Sequence, residues 1–157
     1  MRKLKENPNF IPCKPVIGDE ILGGYPFKWN VTAVSAWIEK NLNQVELSTV
    51  QVNTPSPGAD SENLDEEFIP IADLTRPIIV LRMRPESFRL IDGNHRVAKA
   101  RRLGVKELPT YYLTELQHRE FFTFKEADRM YVDYWNDKLK MLEKDGGQWG
   151  VVGSVRL

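Results

Sequence analysis

The sequence predicts an α+β domain, a small mixed sheet with a strand-turn-helix junction at its centre and helices toward the C-terminus. Three observations carry this. Ile78-Ile79-Val80-Leu81 is an unbroken β-branched and apolar run, the pattern of a strand buried on both faces. Leu90-Ile91-Asp92 reads as a strand that turns at Gly93 and opens at once into a basic helix, Asn94 to Leu103, closed by Gly104. Beyond Thr114 the pattern is helical. Ala127, Met130, Tyr131, Tyr134, Leu139 and Leu142 keep helical spacing, and Thr114/Gln117 and Thr123/Glu126 stand at capping-box separation.

A chain of 157 residues suffices for one domain with a core, and a single domain is expected: an arm and helix over 1–44, a core over 45–113 and a helical extension over 114–157. No apolar run approaches the roughly 18 to 20 residues of a membrane-spanning helix. The basic start, Met1-Arg2-Lys3, has no apolar stretch behind it, so no secretory signal is expected. One cysteine, Cys13, can form neither an internal disulfide nor a cysteine-rich metal site, and a cytoplasmic protein is the simple expectation. Basic and acidic residues balance at 22 each, so DNA binding is not supported by net charge and would need a local patch.

In chain order, residues 1–30 hold four prolines, Pro8, Pro12, Pro15 and Pro26, and the pair Gly23-Gly24, which argues for an irregular arm. Its apolar side chains, Phe10, Leu22, Phe27 and Trp29 among them, argue that the arm packs on the body. Val31 to Leu42 reads as a helix with Val34, Trp37, Ile38 and Leu42 on one face and Asn30 as its cap. Val45 to Val52 reads as a strand whose two alternations agree only through a bulge or an inward Thr49. Thr54 to Glu67, with Pro55, Pro57, Gly58 and a run of carboxylates, is a loop. A solvated connection is the plainer reading, and a lid or metal-loading loop the other. Phe68 to Leu74 is a strand or a turn, Arg84 to Ser87 a turn, and Phe88 to Ile91 and Thr110 to Leu113 are strands. A short helix follows near Glu115 to Phe122, then a longer one from Phe124 to about Glu143. Gln148 to Leu157 is a packed last strand or a frayed end.

The junction has a chemistry of its own. A helix start carries free N–H groups and the positive end of the helix dipole, which suits an anion, most often a phosphate. His95, Lys99, Arg102 and Lys106 fall on one side of the helix, while Val97, Ala100 and Leu103 form the expected buried seam. Gly93 permits positive φ and lets a ligand oxygen approach the backbone. Asn94 adds a polar group at the mouth, and Arg96 can grip a phosphate with two N–H groups. His95 can bind as a cation or pass a proton, and Asp92 can hold a metal, accept a proton or cap the helix. The candidate set is therefore Asp92 and His95 for catalysis, Gly93, Asn94, His95, Arg96 and Lys99 for phosphate, and Asp92 for metal. A solvated basic helix face is the alternative. His118 reads as exposed, and the aromatic residues Phe121, Phe122, Phe124, Tyr131, Tyr134 and Trp135 read as core rather than a base-stacking platform. Trp29 and Trp149 read as packing. No P-loop and no structural-zinc spacing is present.

Pro77 to Val80, Arg89 to Ala100 and Gly104 to Thr110 together resemble the core of the ParB/sulfiredoxin superfamily, over about Ile69 to Leu113, with Val45 to Val52 as the family's first strand. The resemblance implies a fold that binds nucleotide phosphates at the turn and helix start, with ATP or CTP and magnesium as cofactors. It implies NTP hydrolysis or phosphotransfer, or a DNA-associated, nuclease-like protein of plasmid or phage origin, or an interaction module that kept the fold. Gly93 and Arg96 match the Gly-Glu-Arg-Arg of partition proteins, with Asn94 and His95 at the middle positions. Gly93, His95 and Arg96 match the Gly-Cys-His-Arg of sulfiredoxins, with Asn94 at the position of the reactive thiol. Free-amino-acid kinases carry Asp-Gly-His-His-Arg, from which this chain differs at Asn94. Nucleotide is the expected partner. A protein partner gripping the C-terminal helices is a further expectation, and no membrane is expected.

Overall fold

Strand residue types and their alternation build the central sheet. In a computed structural model, which describes residues 1–52 and 64–145, β3 (Glu46–Gln51), β4 (Ile78–Arg84), β5 (Ser87–Asp92) and β6 (Glu107–Leu113) form one sheet in the order β3-β6-β4-β5. β3 and β6 are antiparallel, β6 and β4 parallel, and β4 and β5 antiparallel, so the sheet is mixed as expected. Ile78 to Leu81 are all buried. Ile78 and Val80 face α2 (Asn94–Leu103) together with Val50, Leu108, Val97 and Ala100. Ile79 and Leu81 face the opposite side, where Ile91, Leu113, Trp29, Val34, Ile38, Tyr131 and Trp135 complete the larger core. The period of two along β4 thus divides the molecule into two apolar layers.

Several elements follow the sequence closely. Helix α1 (Val31–Lys40) begins where the Asn30 side chain accepts from the Ala33 N–H at 3.0 Å, and it buries Val31, Val34 and Ile38. Helix α2 ends at Gly104, which adopts φ 69° and donates its N–H back to Ala100 and Arg101 carbonyls. Helix α3 (Glu115–His118) opens with a complete Thr114/Gln117 capping box.

Other elements differ, for local reasons. The arm contains a hairpin, β1 (Ile21–Gly24) and β2 (Phe27–Asn30), pairing Leu22 with Trp29. Pro26 occupies the turn with Tyr25, while the two glycines end β1 in register with β2, Gly23 at φ 101° against the Phe27 carbonyl. β3 needs neither a bulge nor an inward Thr49: its register with β6 is continuous, and Leu47 is exposed because β3 is a sheet edge covered on one face only. Phe68 to Leu74 is a series of turns. After α3 the chain tightens into a 3₁₀ turn over Arg119–Phe121. Helix α4 (Ala127–Lys144) starts without a side-chain cap, because the Thr123 hydroxyl donates to the Lys28 carbonyl instead. Leu103 is exposed rather than part of the α2 seam, since the last helical turn runs past the sheet. Residues 53–63, most of the Thr54 to Glu67 loop, and the tail Gln148 to Leu157 with Trp149 lie outside the described residues.

The arm is fastened to α4 by polar groups. Arg119 Nε donates to Asp128 at 2.6 Å, both side chains being buried, and Asp128 also accepts from the Asn7 N–H. The Arg119 Nη2 donates to the Lys5 carbonyl.

His118 is fully buried, not exposed. Its Nδ1 accepts from the Trp29 indole N–H at 3.3 Å, so the ring proton sits on Nε2, which faces the Arg82 carbonyl at 2.9 Å and the Tyr131 hydroxyl at 3.0 Å. Only the neutral ring fits this arrangement. Burial, opposed in part by the bond to the Arg82 carbonyl, lowers the His118 pKa from 6.5 to about 4. Because the unfolded chain takes up this proton first, stability falls as pH drops from about 6.5 to about 4, by about 3 kcal/mol for this group. Urea unfolding across that range is expected to show the loss, and a His118→Phe protein, weaker throughout, is expected to lack that part of the slope.

Candidate functional site

The site is built at the end of β5. Asp92 ends the strand, and Gly93 takes φ 114° and ψ 20°, a left-handed conformation that turns the chain into α2 in one residue. The first intrahelical bond runs from the Val97 N–H to the Gly93 carbonyl at 2.9 Å. No side chain caps the helix, and the N–H groups of Asn94, His95 and Arg96 meet no acceptor among the described residues. Asp92 therefore does not cap.

Asp92 instead pairs with Arg96 across one helical turn, Oδ2 to Nη2 at 2.9 Å. The Arg96 Nη1 donates to the carbonyls of Arg76 and Pro77 at 3.0 and 2.6 Å. The guanidinium is 9% exposed, so this arginine holds the junction together from within. It positions the mouth rather than reaching out of it. Gly93 has a second role as well. A Cβ here would lie 2.8 Å from Ile78 Cβ and closer still to its Cγ2, so the turn packs directly onto the first residue of β4. The glycine is demanded by the fold before any ligand arrives.

The basic side of α2 is met by the segment 64–77, which runs across it. The His95 Nε2 accepts from the Asp65 N–H at 3.1 Å, and Phe68 lies edge-on to the same ring. Lys99 Nζ donates to the Ala72 carbonyl at 2.7 Å. Arg102 forms a two-pronged bond with Glu66, which lowers the Glu66 pKa. The stripe predicted from helical spacing is real over these three positions. Of its partners among the described residues, Glu66 meets it through a side chain, while one backbone N–H and one backbone carbonyl carry no signal in residue type. Arg76 and Pro77 were missed for the same reason.

On the other side of Asp92 lies a cavity of about 240 Å³ between α1 and the sheet, lined by Ser35, Ile38, Glu39, Leu42, Arg76, Pro77, Ile79, Asp92 and Tyr111. Glu39 thereby shares a cavity with Asp92, a placement sequence reasoning missed. The signal was present: Ser35, Ile38, Glu39 and Leu42 recur at helical spacing on one face. Among the described residues no cluster of three or more His, Cys, Asp or Glu side chains could hold a metal ion, and no helix is long and apolar enough to cross a membrane. The predicted set is thus assembled in one place, with Gly93, Asn94 and His95 at the mouth, Asp92 and Arg96 behind it, and Lys99 one turn along.

A mixed sheet whose edge strand feeds a left-handed glycine and an uncapped basic helix defines a class of α+β domain built around one junction. The ParB N-terminal domain model matches residues 32–124, more than half of the chain. The protein belongs to the ParB N-terminal domain family. No curated protein and no solved structure matches it.

Two substitutions separate the junction's structural roles. Arg96→Ala strands a carboxylate and two carbonyls and is expected to lower unfolding free energy by about 3 kcal/mol. Gly93→Val combines left-handed strain with a clash against Ile78 and is expected to lose at least about 3 kcal/mol. Chemical denaturation of each variant measures both, and near-native stability in either would contradict the packing described.

Proposed function

We propose that this domain binds the phosphate groups of a nucleoside triphosphate, ATP or CTP, at the α2 mouth. One observation carries the reading: three helix N–H groups stand uncapped after a left-handed glycine, with His95 and Lys99 on the adjoining face. Such amides, aligned with the helix dipole, suit phosphate oxygens. Asn94 offers its amide beside them. Arg96 contributes indirectly, by fixing the turn that aims the amides. Lys99 would exchange its contact with the Ala72 carbonyl for a phosphate oxygen, and the His95 Nε2 would exchange the Asp65 N–H for the proton of a water or hydroxyl. The cavity beside Asp92 would take a flat ring.

Magnesium fits the chemistry of this site modestly. The Asp92 Oδ2 is bonded to Arg96, which leaves its other oxygen for a cation shared with phosphates, a common arrangement for this ion. The metal would neutralise phosphate charge when bound. Within the chain, Asp92 would orient it, and His95, holding Nε2 as an acceptor, would take a proton from an attacking water or hydroxyl. Hydrolysis or phosphotransfer is the reaction class this supports.

One feature favours a second reading, a fold retained for interaction alone: the family arginine is satisfied inside the protein. A DNA-associated role draws less support, because Lys99 and Arg102 are held by the segment 64–77 and the overall charge is zero. Thermal unfolding with ATP, CTP, GTP or sulfate, with and without magnesium, tests these readings. A nucleotide-dependent rise in Tm that Lys99→Ala or His95→Ala reduces is expected, with phosphate release in the magnesium arm. No shift with any nucleotide at millimolar concentration would remove the proposal and leave the interaction reading.

A further inference from the structure

Helix α2 covers only part of its face of the sheet. Ile78, Val80 and Leu108 lie beneath it. Farther along the same face, Arg82, Phe88, Tyr112, Glu46 and Ser48 border an open cavity of about 530 Å³. Arg82 lies four residues beyond Ile78 on β4, roughly 13 Å along the strand, so this cavity is at the other end of the sheet from the Gly93 turn. Its volume falls within the range of small-molecule sites.

The chemistry of its walls is uneven. The Arg82 guanidinium lies over the Phe88 ring, 5.3 Å from its centroid. It meets no carboxylate among the described residues. Its Nε is shielded from solvent and has no hydrogen-bond partner, and its one polar contact is from Nη1 to the Met1 thioether at 4.0 Å. A desolvated guanidinium N–H without an acceptor is unusual, because a charged donor loses most when left unpaired. Phe88 and Tyr112 meet edge to face at 5.7 Å and form an aromatic floor. The Tyr112 hydroxyl is already bonded to the Thr49 carbonyl, so the ring offers its apolar surface. Across the floor, Glu46 pairs with Tyr112 in register and forms no ion pair among the described residues. Burial first, and the Glu46 carboxylate second, raise the Tyr112 pKa, so that carboxylate acts on the cavity.

We propose that this cavity is a second ligand site, for a small aromatic carboxylate bearing an amine at its far end. The Nη1 and Nη2 of Arg82 form the end-on fork that a planar carboxylate fits, Nη1 giving up its long contact with the Met1 thioether. The ring would rest on Phe88 and Tyr112, and the amine would face Glu46. A ligand with two negative ends would be repelled by Glu46, and a purely cationic one by Arg82. The site does not depend on phosphate binding at α2.

The probe is 4-(aminomethyl)benzoate, titrated into the isotope-labelled full chain and followed by amide NMR, with benzylamine and inorganic phosphate as controls. Saturable shifts are expected at Ser48, Phe88 and Tyr112 with the probe. Arg82→Met, which removes the guanidinium but keeps an apolar side chain of similar reach and the backbone carbonyl used by His118, is expected to weaken binding at least about tenfold. Glu46→Gln is expected to weaken the probe but not benzoate. Phosphate shifts are expected at Asn94 to Arg96 alone, so failure at one site is read separately from failure at the other. Absence of saturable shifts at the cavity amides would overturn the proposal. So would unchanged binding in Arg82→Met protein whose Trp29 indole resonance shows it folded.

Discussion

The Arg96 guanidinium is the contact on which the junction depends. One planar group bonds the carboxylate that ends β5 and two carbonyls that precede β4. Those strands are neighbours, and α2 springs from the second of them. With five donors in a fixed fork, arginine can span three acceptors that a lysine ammonium would reach only in part. Its near-complete burial makes the arrangement all-or-none, because each acceptor left behind would be desolvated and unpaired. Gly93 enforces the same closure from the other side by seating the turn on Ile78. The helix start is thereby held at one angle, and its N–H groups are left over as a consequence of that geometry.

This division of roles changes how the basic residues are understood. Arg96, His95, Lys99 and Arg102 share a helix but not an environment. Arg96 is inside. His95 and Lys99 meet backbone groups at 3.1 and 2.7 Å; a phosphate oxygen could replace the Ala72 carbonyl on Lys99 at small net loss, whereas the His95 Nε2, which accepts, could exchange the Asp65 N–H only for another donor such as water. Arg102 pairs with Glu66 while both remain largely exposed, so that bond is screened and contributes little to stability. The stretch 64–75 therefore lies on α2 through interactions that are individually replaceable, whereas the carbonyls of Arg76 and Pro77 and the turn beneath are held by Arg96.

Much of the framework was legible because it rests on periodicity and on local rules. The buried run Ile78 to Leu81, the Asn30 cap, the Thr114/Gln117 box and the stop at Gly104 each follow from residues within a few positions of one another. The hairpin at Ile21–Asn30 was hidden because proline and glycine mark breaks without saying whether a strand stands on either side. Thr123 and Glu126 had the right spacing for a box, yet a distant carbonyl, Lys28, competed for the hydroxyl and won. His118 failed for a related reason. A histidine beside Gln117 and Arg119 looks solvated, and only the tertiary fold supplies Trp29, Tyr131 and the Arg82 carbonyl as its three partners. At the site, the residues were found and their neighbours were not, since backbone groups of Asp65, Ala72, Arg76 and Pro77 have no residue-type signature.

The same contrast explains why the family arginine is a poor guide to chemistry on its own. A side chain kept to close a turn and one kept to grip a ligand leave the same letter in the sequence. What separates them is whether the donors are already occupied, and here they are. Under the proposed phosphate reading, recognition would then rest on main-chain amides, placed by a glycine that the left-handed φ and the contact with Ile78 both demand. Under that reading Lys99, which donates to a single backbone carbonyl, is where side-chain identity would tune which anion is preferred.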